Sequence, residues 1–559
     1  MSKVRIISLG GVRESGKNMY LVEVDDLIFV LDCGLLYPEN ELLGIDVVIP
    51  DFSYLEENKN KIAGIFLTHG HADAVGALPY LLQNIDAPVF GTGLTIALAK
   101  LAVDSTGLAT GFEDYHVIDE NTEIEFENTS VRFFRTTHTI PDSVGICVKT
   151  EEGSVVYTGD FKFDQSASPM YRTDYGKITD IGEGKVLALL SDSGDAESTT
   201  ENVSDRKIEE EMLDTFINAE GRIIVSCVAS NILRIQQVFD VALQANRKIF
   251  LTGPTLVETV DVAMKLGKLV LPTPDLLVNV KNINDYRDGQ VLILETGNSG
   301  EPLEALQRMS KGRHKQVNLK EGDLVYITTT PSTAMETTVA KTKNLIYRAG
   351  ASVREISGTY KASGHASPND LKLMINLLRP TYFVPVQGEY RMQAAHAQLA
   401  NEVGIPFKNI FIPGKGDVIE YAKGRMHMTG QVPAGNVLID GIGVGDIGNI
   451  VLRDRKLLSE DGIFVVVVTI SRRLNKILSG PEIVSRGFVY MKASEELVKE
   501  SSNIVREVVE DNLHTKDFDW AKLKQEIRDS LSRYLFEKTK RKPVILPIIM
   551  EASNYQKKS

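Results

Sequence analysis

Short apolar runs separated by glycine turns dominate the first 200 residues of the chain. Examples are VRIISLGG, LIFVLDCG, IAGIFLTHG, VRFFRTTH, SVGICVKT and SVVYTGD. Runs of this length and spacing, with few long helical patterns between them, predict strands. Residues 1–204 are therefore predicted to form a β-sandwich core flanked by helices.

The pattern changes after about Ser204. Helical spacing in RKIEEEMLDTFINAE, ILRIQQVFDVALQAN and LVETVDVAMKLGKL alternates with the strand-like GRIIVSCVAS and RKIFLTG. Such alternation predicts a parallel sheet, so residues 205–354 are predicted to be a separate α/β domain. Residues 355–444 return to mixed strands and helices. In residues 445–559, GIFVVVVTI and KPVILPIIME flank two helical segments, which predicts a small α+β domain.

Composition narrows the class of protein. A chain of 559 residues is too long for one hydrophobic core. No apolar run approaches the roughly 18 residues that a membrane span needs, and the start MSKVRIISLGG lacks the pattern of a signal peptide, so we expect a cytoplasmic protein without a membrane partner. Cys33, Cys147 and Cys227 lie far apart in apolar stretches and predict small core residues rather than disulfides or a zinc site.

The formal net charge of −13 argues against nucleic-acid binding over the whole surface, because phosphate affinity depends largely on lysine and arginine. Two basic clusters are candidates for local phosphate contacts. They are RMSKGRHK at residues 308–315 and KTKRK at residues 538–542. A solvated surface is the favoured interpretation of each.

A cluster of candidate metal ligands follows the strands of the first unit. His69 and His71 lie one residue apart in FLTHGHADAV, and two imidazoles so placed can be adjacent ligands of one metal. His138 in FRTTHTIPDS and Asp160 in VVYTGDFKFD also follow strands, and Asp73 could face a second metal. Three histidines and a carboxylate at strand ends predict a hydrolytic metal site. The alternative, a structural role for each histidine, is disfavoured for the set.

These motifs resemble the metallo-β-lactamase fold. The segment after residue 204, followed by SGHAS and PVQGEYRM, resembles its nucleic-acid-processing β-CASP branch. GGVRESGKNMYLVE, VLDCGLLYPE, SDSGDAE, SNILRIQQV and the C-terminal unit resemble ribonuclease J over essentially the full length. The resemblance implies an α/β protein: a metallo-β-lactamase αββα sandwich, an inserted α/β β-CASP domain and a small α+β C-terminal domain. It also implies a 5′-to-3′ exoribonuclease with some endonuclease activity in RNA maturation and decay, and two metal ions.

Several positions depart from the family pattern. Ala72 and Ala74 replace the glutamate and the last histidine of HxHEDH, and Gln387 replaces the histidine of PVHGE. Carried over, the resemblance leaves the first metal with four ligands, His69, His71, His138 and Asp160. The second keeps Asp73 and the bridging Asp160. Zinc, with manganese as the alternative, is thus expected at one intact site beside one degraded site. Intrinsic activity is expected to be low or absent, because two-metal hydrolysis needs both ions.

The family motif HxSGH appears here as Lys361, Ala362, Ser363, Gly364 and His365. The resemblance implies that this segment binds a substrate phosphate and assigns catalysis to His365, which assists proton transfer, and to Asp73. Lysine at the first position still offers a charged donor to phosphate, although an ordinary surface lysine is the alternative. Ser230 and Asn231 could also contact RNA. Capping of the following helix explains them equally well.

The combination HxHADA with PVQGE resembles the accessory second paralogue of ribonuclease J in Gram-positive bacteria. It implies two partners, RNA and a catalytically competent ribonuclease J paralogue, in a homodimer or a mixed oligomer. The last domain would then serve oligomerisation, and core strands are the evenly matched alternative for its apolar runs. Two function classes stay open: a weak metal-dependent ribonuclease, and an essentially non-catalytic RNA-binding subunit that modulates an active partner. The β-CASP-like insertion disfavours a hydrolase of small molecules.

Overall fold

The computed structural model describes residues 2–38, 42–200, 203–296, 302–328, 336–356, 362–441, 443–445, 447–488, 495–515 and 517–552. The chain divides into two compact units. The larger holds residues 1–39 and 47–437, and the smaller holds residues 40–46 and 438–559. Lys361, which is predicted to contact phosphate, lies outside the described residues.

The larger unit contains a β-sandwich. Elements are numbered in chain order. The first sheet has eight strands, which are, in spatial order, β20 (Arg425–Gln431), β19 (Asp417–Ala422), β1 (Val4–Gly10), β2 (Met19–Val24), β3 (Leu27–Leu31), β5 (Ile62–Phe66), β6 (Val89–Gly91) and β7 (Tyr115–Val117). The second has six strands, which are β18 (Tyr382–Val386), β12 (Val186–Asp192), β11 (Gly153–Tyr157), β10 (Val144–Thr150), β9 (Thr129–Arg135) and β8 (Glu123–Phe126). The short strand β4 (Val47–Pro50) lies between β3 and β5 in the sequence.

The two sheets share one core, because alternate residues of their strands face each other. Its largest side chains include Phe29, Phe66, Phe133 and Tyr157. Three helices cover the outer face of the six-stranded sheet, namely α5 (Tyr175–Glu183), α11 (Pro368–Leu378) and α12 (Tyr390–Glu402). Four more helices belong to the first 110 residues, namely α1 (Ser53–Glu57), α2 (Ala72–Val75), α3 (Leu78–Leu81) and α4 (Gly93–Thr106). The three cysteines are buried and free, as small core residues.

A parallel sheet is inserted between β12 and β18, which nevertheless pair with each other in the sandwich. Its spatial order is β14 (Lys248–Thr252), β15 (Val291–Glu295), β13 (Ile223–Ser226), β16 (Leu324–Ile327) and β17 (Ser352–Glu355). One face is covered by α6 (Asp205–Asn218), α7 (Ile232–Gln244) and α8 (Pro254–Lys265), and the other by α9 (Pro302–Ser310) and α10 (Glu336–Arg348). Burial on both faces explains why β13 and β15 are almost entirely apolar.

The smaller unit has a three-stranded sheet with two long helices on one face. The sheet order is β24 (Lys476–Arg486), β23 (Ile463–Ser471) and β25 (Val544–Glu551). The helices α14 (Glu495–Leu513) and α15 (Trp520–Thr539) pack on Phe464, Val466, Val468 and Ile470, the alternate residues of β23. The remaining elements are β21 (Asn436–Asp440), β22 (Gly443–Val444) and α13 (Asn449–Asp461). Since β23 is paired on both sides, β25 is the one of the two apolar strands with an edge left unpaired among the described residues.

Backbone hydrogen bonds join the loop after β3, and also Asn18, to α2, which follows the two histidines directly. The Cys33 N–H donates to the Ala74 carbonyl at 2.7 Å, and the Asn18 N–H donates to the Asp73 carbonyl at 2.9 Å. Gly34 lies at the closest approach, since a Cβ on it would fall 1.5 Å from the Asp73 carbonyl oxygen. The contacting atoms all belong to the backbone, so no change of side-chain rotamer could make room for a Cβ at position 34.

We expect Gly34→Ala to lower the midpoint of thermal unfolding, because the added methyl group forces two backbone segments apart at a cost of about 1–3 kcal/mol. Gly93→Ala is the matched control, since its Cβ would have its nearest neighbour at 4.0 Å, on Val117. Differential scanning calorimetry of both variants measures the effect. Equal midpoints for Gly34→Ala and the control would contradict the tight contact.

Candidate metal centre and RNA-binding segment

Three imidazole rings meet where strands of both sheets end. His69 and His71 follow β5, and His138 follows β9. The ring centroids are 4.9 to 5.0 Å apart, and one nitrogen atom of each ring lies within 4.8 Å of the others. Asp73 in α2 and Asp160 after β11 form a second group of ligand atoms around His69. The structure thus brings the five predicted metal ligands together.

A buried chain of hydrogen bonds orients His69. The Thr68 hydroxyl lies 2.8 Å from an oxygen of the Asp32 carboxylate and 2.8 Å from His69 Nδ1. Because the hydroxyl has one proton and the carboxylate accepts it, His69 Nδ1 carries the proton and donates to Thr68 Oγ1. This tautomer leaves the lone pair on His69 Nε2, the atom that faces the other ligands. Such supporting bonds fix both ring orientation and tautomer in metal sites.

The other two imidazoles are held by residues distant in sequence. His138 Nδ1 donates to the Gly364 carbonyl at 2.9 Å, which leaves the lone pair on Nε2. The ring and the backbone approach closely, since a Cβ on Gly364 would lie 2.8 Å from His138 Cε1. His71 Nδ1 lies 2.7 Å from Ser230 Oγ, and its Nε2 lies 2.7 Å from Thr139 Oγ1. Ser230, predicted to contact RNA, therefore contacts the ring of a predicted metal ligand.

The donor set fits a divalent cation. His69 Nε2 and Asp160 Oδ1 are buried and have no hydrogen-bond partner, and a polar atom left so is costly unless an ion satisfies it. Burial lowers the pKa of His69 and His138 well below its ordinary value and that of His71 to about 3, so the rings are neutral, as ligation requires. Burial and the neighbouring Asp73 carboxylate raise the pKa of Asp160 well above its usual range, and a cation opposes this effect.

Asp73, the one second-metal carboxylate not shared with the first site, is bound by amide groups of the protein. Gln387 Nε2 donates to Asp73 Oδ2 at 3.4 Å, and Asn18 Nδ2 donates to the same oxygen at 3.3 Å. Gln387 Oε1 in turn accepts from the Gly16 N–H at 3.0 Å. Ala74 is buried beside them and offers no ligand atom. The side chain of the glutamine that replaces a histidine is thus fixed by two protein groups, the Asp73 carboxylate and the Gly16 N–H.

His365 forms an ion pair that sequence reasoning did not assign. Its Nδ1 lies 2.8 Å from Oδ2 of Asp192, the last residue of β12, whose Oδ1 accepts from the Gly194 N–H at 2.8 Å. Burial alone would lower the pKa of His365, but the Asp192 and Asp160 carboxylates raise it well above its ordinary value. The imidazolium form is therefore favoured at neutral pH.

Residues 362–365, the described part of the predicted RNA-binding segment, contact both the sandwich and the inserted sheet. Ala362 packs against the core of the inserted sheet. Ser363 Oγ accepts from the His365 N–H at 3.1 Å, which shapes the turn that ends at His365. Asn231 caps α7, because its side chain accepts from the Arg234 N–H at 3.0 Å. Capping, one of the two interpretations of Asn231 from the sequence, is therefore observed.

Sequence reasoning missed five residues of the centre. They are Asn18, Asp32, Thr68, Thr139 and Asp192. Asp192 had a usable signal, because it ends a fully buried apolar strand, VLALLSD, much as Asp160 follows the strand GSVVY. The hydroxyls of Thr68 and Thr139 adjoin metal-ligating histidines in the sequence, but a threonine beside a histidine is too common to indicate a site.

The two basic clusters lie far from these ligands in the sequence. Residues 308–315 belong to the larger unit, and residues 538–542 belong to the smaller one. Arg308, in α9, pairs with Glu304 at 3.0 Å. The cluster at residues 538–542 follows the end of α15 in the smaller unit.

Four family models match the chain in succession. The metallo-beta-lactamase superfamily matches residues 12–209, and the ribonuclease J beta-CASP domain matches residues 220–346. The Zn-dependent metallo-hydrolase RNA specificity domain matches residues 354–413, and the ribonuclease J C-terminal domain matches residues 450–552. A protein named Ribonuclease J 2 from Streptococcus pyogenes serotype M3 is 53% identical over 552 residues, which are 99% of this chain and 100% of that protein.

The chain belongs to the ribonuclease J family. Proteins named Ribonuclease J 2 from Staphylococcus epidermidis and Staphylococcus aureus are 49% and 48% identical, each over 98% of both chains. The resemblance to the second ribonuclease J paralogue is thus confirmed. Membership in this family identifies a nuclease-type hydrolase, and together with the ligand clusters it supports a metal cofactor. The RNA specificity domain supports RNA binding.

The architecture agrees with these matches. A crystal structure titled as a protein of unknown function from Enterococcus faecalis V583 superposes with a TM-score of 0.52 at 14% identity, over 75% of this chain and 100% of that one, which shows a shared fold alone. The predicted metallo-β-lactamase fold of the ribonuclease J family, with its β-CASP insertion and C-terminal domain, is confirmed. No helix in the described ranges is long and apolar enough to cross a membrane.

We expect Thr68→Val to weaken zinc affinity by about 10- to 100-fold, because the isosteric change removes the hydroxyl that fixes the His69 tautomer. Thr150→Val is the control, since the Thr150 hydroxyl is also largely buried and donates to a carbonyl, that of Gly153 at 2.7 Å. Titration against a competing chelator measures the affinity. If both variants bind zinc as the unmodified chain does, the hydroxyl has no orienting role.

Proposed function

We propose that the chain is a metal-dependent ribonuclease of low intrinsic turnover, a 5′-to-3′ exonuclease with some endonucleolytic cleavage. The observation that carries the proposal is the pair of buried atoms without a partner, His69 Nε2 and Asp160 Oδ1, within a cluster of neutral imidazoles. A purely structural cluster would satisfy both atoms with protein donors or acceptors. RNA is the proposed substrate because of the RNA specificity domain.

One ion is proposed per chain, held by His69, His71, His138 and Asp160. Zinc is favoured, with manganese as the alternative, because three imidazoles and one carboxylate suit zinc. When bound, the ion supplies Lewis-acid stabilisation of the negative charge on the scissile phosphodiester.

The chain's own residues are proposed to bind the substrate and move a proton. Ala362, Ser363 and Gly364, with Lys361 before them, bind a substrate phosphate next to the cluster. His365, held by Asp192 through Nδ1, keeps a proton on Nε2 that it gives to the leaving oxygen as the P–O bond breaks. The ion pair supports this role, because it favours the imidazolium at neutral pH.

Low turnover follows from the state of Asp73. Hydrolysis by two ions needs both of them about 3.5–4 Å apart, to stabilise the attacking and the leaving oxygen together. Here the amides of Asn18 and Gln387 occupy the accepting oxygen of Asp73. We therefore propose that Asp73 contributes little to catalysis, because its carboxylate accepts hydrogen bonds from these amides.

A second candidate function is an essentially non-catalytic RNA-binding subunit that modulates a catalytically competent ribonuclease J paralogue. The hydrogen bonds from the Asn18 and Gln387 side-chain amides to Asp73 favour this second candidate, because they satisfy the carboxylate without a second ion. Assembly, as a homodimer or a mixed oligomer, is proposed to use the smaller unit, where the β25 edge is unpaired among the described residues.

Metal content tests the proposed single site. We expect about one tightly bound ion per chain, and two for the double variant Ala74→His with Gln387→His, whose activity should rise by at least about tenfold as a two-metal centre forms. Exposed Ala521→His with Gln316→His controls for added histidines. Elemental analysis and turnover of 5′-monophosphorylated RNA are measured together. Two tightly bound ions in the unmodified chain contradict the proposed single site. If the double variant binds two ions but its RNA turnover does not rise, a feature other than the second metal limits activity, such as Lys361.

A metal-ligand substitution separates the two candidate functions. We expect His69→Ala to abolish the turnover of this chain alone, because it removes a buried ligand, and to leave assembly with the competent paralogue unchanged. His116→Ala, at an exposed histidine paired with Asp114, is the control. Turnover is measured for the isolated chain and for the purified mixed complex. If His69→Ala removes most activity of the complex, this chain is its main catalytic subunit; if the unmodified chain alone has no turnover, the non-catalytic candidate stands.

A further inference from the structure

An exposed aromatic ring lies among cations at the end of α15. Phe536 is 39% exposed, although its helix neighbours Leu531 and Leu535 are fully buried. The ammonium groups of Lys540 and Lys542 lie 5.5 Å and 5.0 Å from the centroid of its ring. A large apolar side chain left in solvent and flanked by two cations indicates a surface that meets a ligand with both apolar and anionic parts.

The backbone is shaped to place the lysines there. Helix α15 ends at Thr539, and Lys540 adopts the left-handed conformation with φ 60°. Its N–H donates to the Phe536 carbonyl at 2.9 Å, which turns the chain back toward the ring. Glycine is the usual residue at such a turn, because a Cβ is disfavoured there. Here a lysine takes the position, and the Arg541 guanidinium fixes the turn by donating to the Phe488 carbonyl at 2.7 Å.

Unpaired positive charge is concentrated on this surface. Residues 533–542 contain five cations and one carboxylate, in a chain whose formal net charge is −13. Within the described ranges, Arg533, Lys540 and Lys542 form no ion pair, whereas exposed Lys522 on the same helix pairs with Glu526. Among the described residues, Lys540 and Lys542 contact only the Phe536 ring through their charged ends, so a phosphate can bind them without breaking an ion pair.

A cavity of about 390 Å³ adjoins the ring. Its lining is Asp529, Ser532, Arg533, Phe536 and Lys542. The depression is shallow and largely open to solvent, and it combines an aromatic face with an arginine and a lysine beside the Asp529 carboxylate. The name "Phe536 surface" is used below for this cavity together with Lys540.

We propose that the Phe536 surface binds single-stranded RNA, with a base stacked on Phe536 and the adjoining phosphates on Arg533, Lys540 and Lys542. The proposal rests on the proposed function, in which the chain binds RNA. Aromatic stacking combined with lysine and arginine contacts to the backbone is the general mode of sequence-tolerant single-strand binding. It assigns a function to the basic cluster KTKRK and gives the smaller unit its own contact with the substrate.

Single-stranded RNA fits this surface better than a protein or an anionic membrane. A protein partner would need a wider apolar area than one ring, and a membrane would need several apolar side chains to insert beside the basic residues. The Phe536 surface offers one ring and two lining cations, Arg533 and Lys542, beside one carboxylate, and a ring next to cations matches the repeat of base and phosphate.

Binding of a 20-nucleotide oligouridylate to the full-length chain, in EDTA and over a range of salt concentrations, tests the proposal. Lys540→Gln with Lys542→Gln should weaken binding by about tenfold and reduce the slope of log affinity against log salt by about 1.4, the effect of two lost single-strand phosphate contacts. Phe536→Leu should weaken binding by about tenfold with the slope unchanged, because stacking is lost while the charges stay. Lys499→Gln with Lys522→Gln is the control of equal charge, on exposed lysines of the same unit.

Photocrosslinking provides a measurement that needs no variant. The same oligonucleotide carrying 4-thiouridine should crosslink to peptides within residues 529–542 of the unmodified chain. Tight binding of RNA with equal affinities for all variants and no crosslink there overturns this inference and leaves the proposed function intact. No binding of RNA by the unmodified chain overturns both. Binding of anionic vesicles that depends on Phe536, without a crosslink to RNA, also overturns it and identifies a membrane surface.

Discussion

Buried negative charge must be compensated, and this constraint shapes the whole centre. An uncompensated buried carboxylate costs several kcal/mol, yet Asp73 and Asp160 share one pocket. Asp160 keeps an oxygen without a partner among neutral imidazoles, an arrangement that a cation completes. Asp73 receives two amide donors, from Asn18 and Gln387. The protein therefore supplies donors to one carboxylate, while the other keeps an oxygen that a cation could satisfy.

Sequence reasoning predicted three of the candidate ligands from the apolar strands that precede them. His69, His138 and Asp160 all come directly after such runs, and the ends of β5, β9 and β11 converge in the sandwich. The inserted parallel sheet was also predictable from local patterns. Its inner strands β13 and β15 are buried on both faces and therefore almost continuously apolar, and its strands alternate with helical segments. The two helical segments predicted between GIFVVVVTI and KPVILPIIME are α14 and α15. Local patterns of hydrophobicity thus carry most of the fold and the metal ligands.

What the sequence could not supply is the set of contacts between distant segments. His71 and Ser230 are 159 residues apart, and His138 and Gly364 are 226 residues apart, yet each pair is joined by a hydrogen bond. Such bonds depend on how the inserted domain docks on the sandwich, which no local pattern encodes. The loss of a histidine at Gln387 was readable, but its consequence was not. Only the structure shows that the amide takes Asp73 as its partner.

This replacement makes the altered centre hard to reverse one step at a time. A histidine at position 387 alone would remove an amide donor from Asp73, and an imidazole beside a buried Ala74 completes no second set of ligands. The intermediate would lose the Gln387 amide that the Gly16 N–H orients, without gaining a cation for the partly buried Asp73 carboxylate. The charges of His365 and Asp192 do not depend on a metal in this way, because the two side chains compensate each other within one ion pair. The charge balance of the pocket therefore opposes the return of a second metal by single substitutions, while the ion pair of His365 and Asp192 does not depend on that metal.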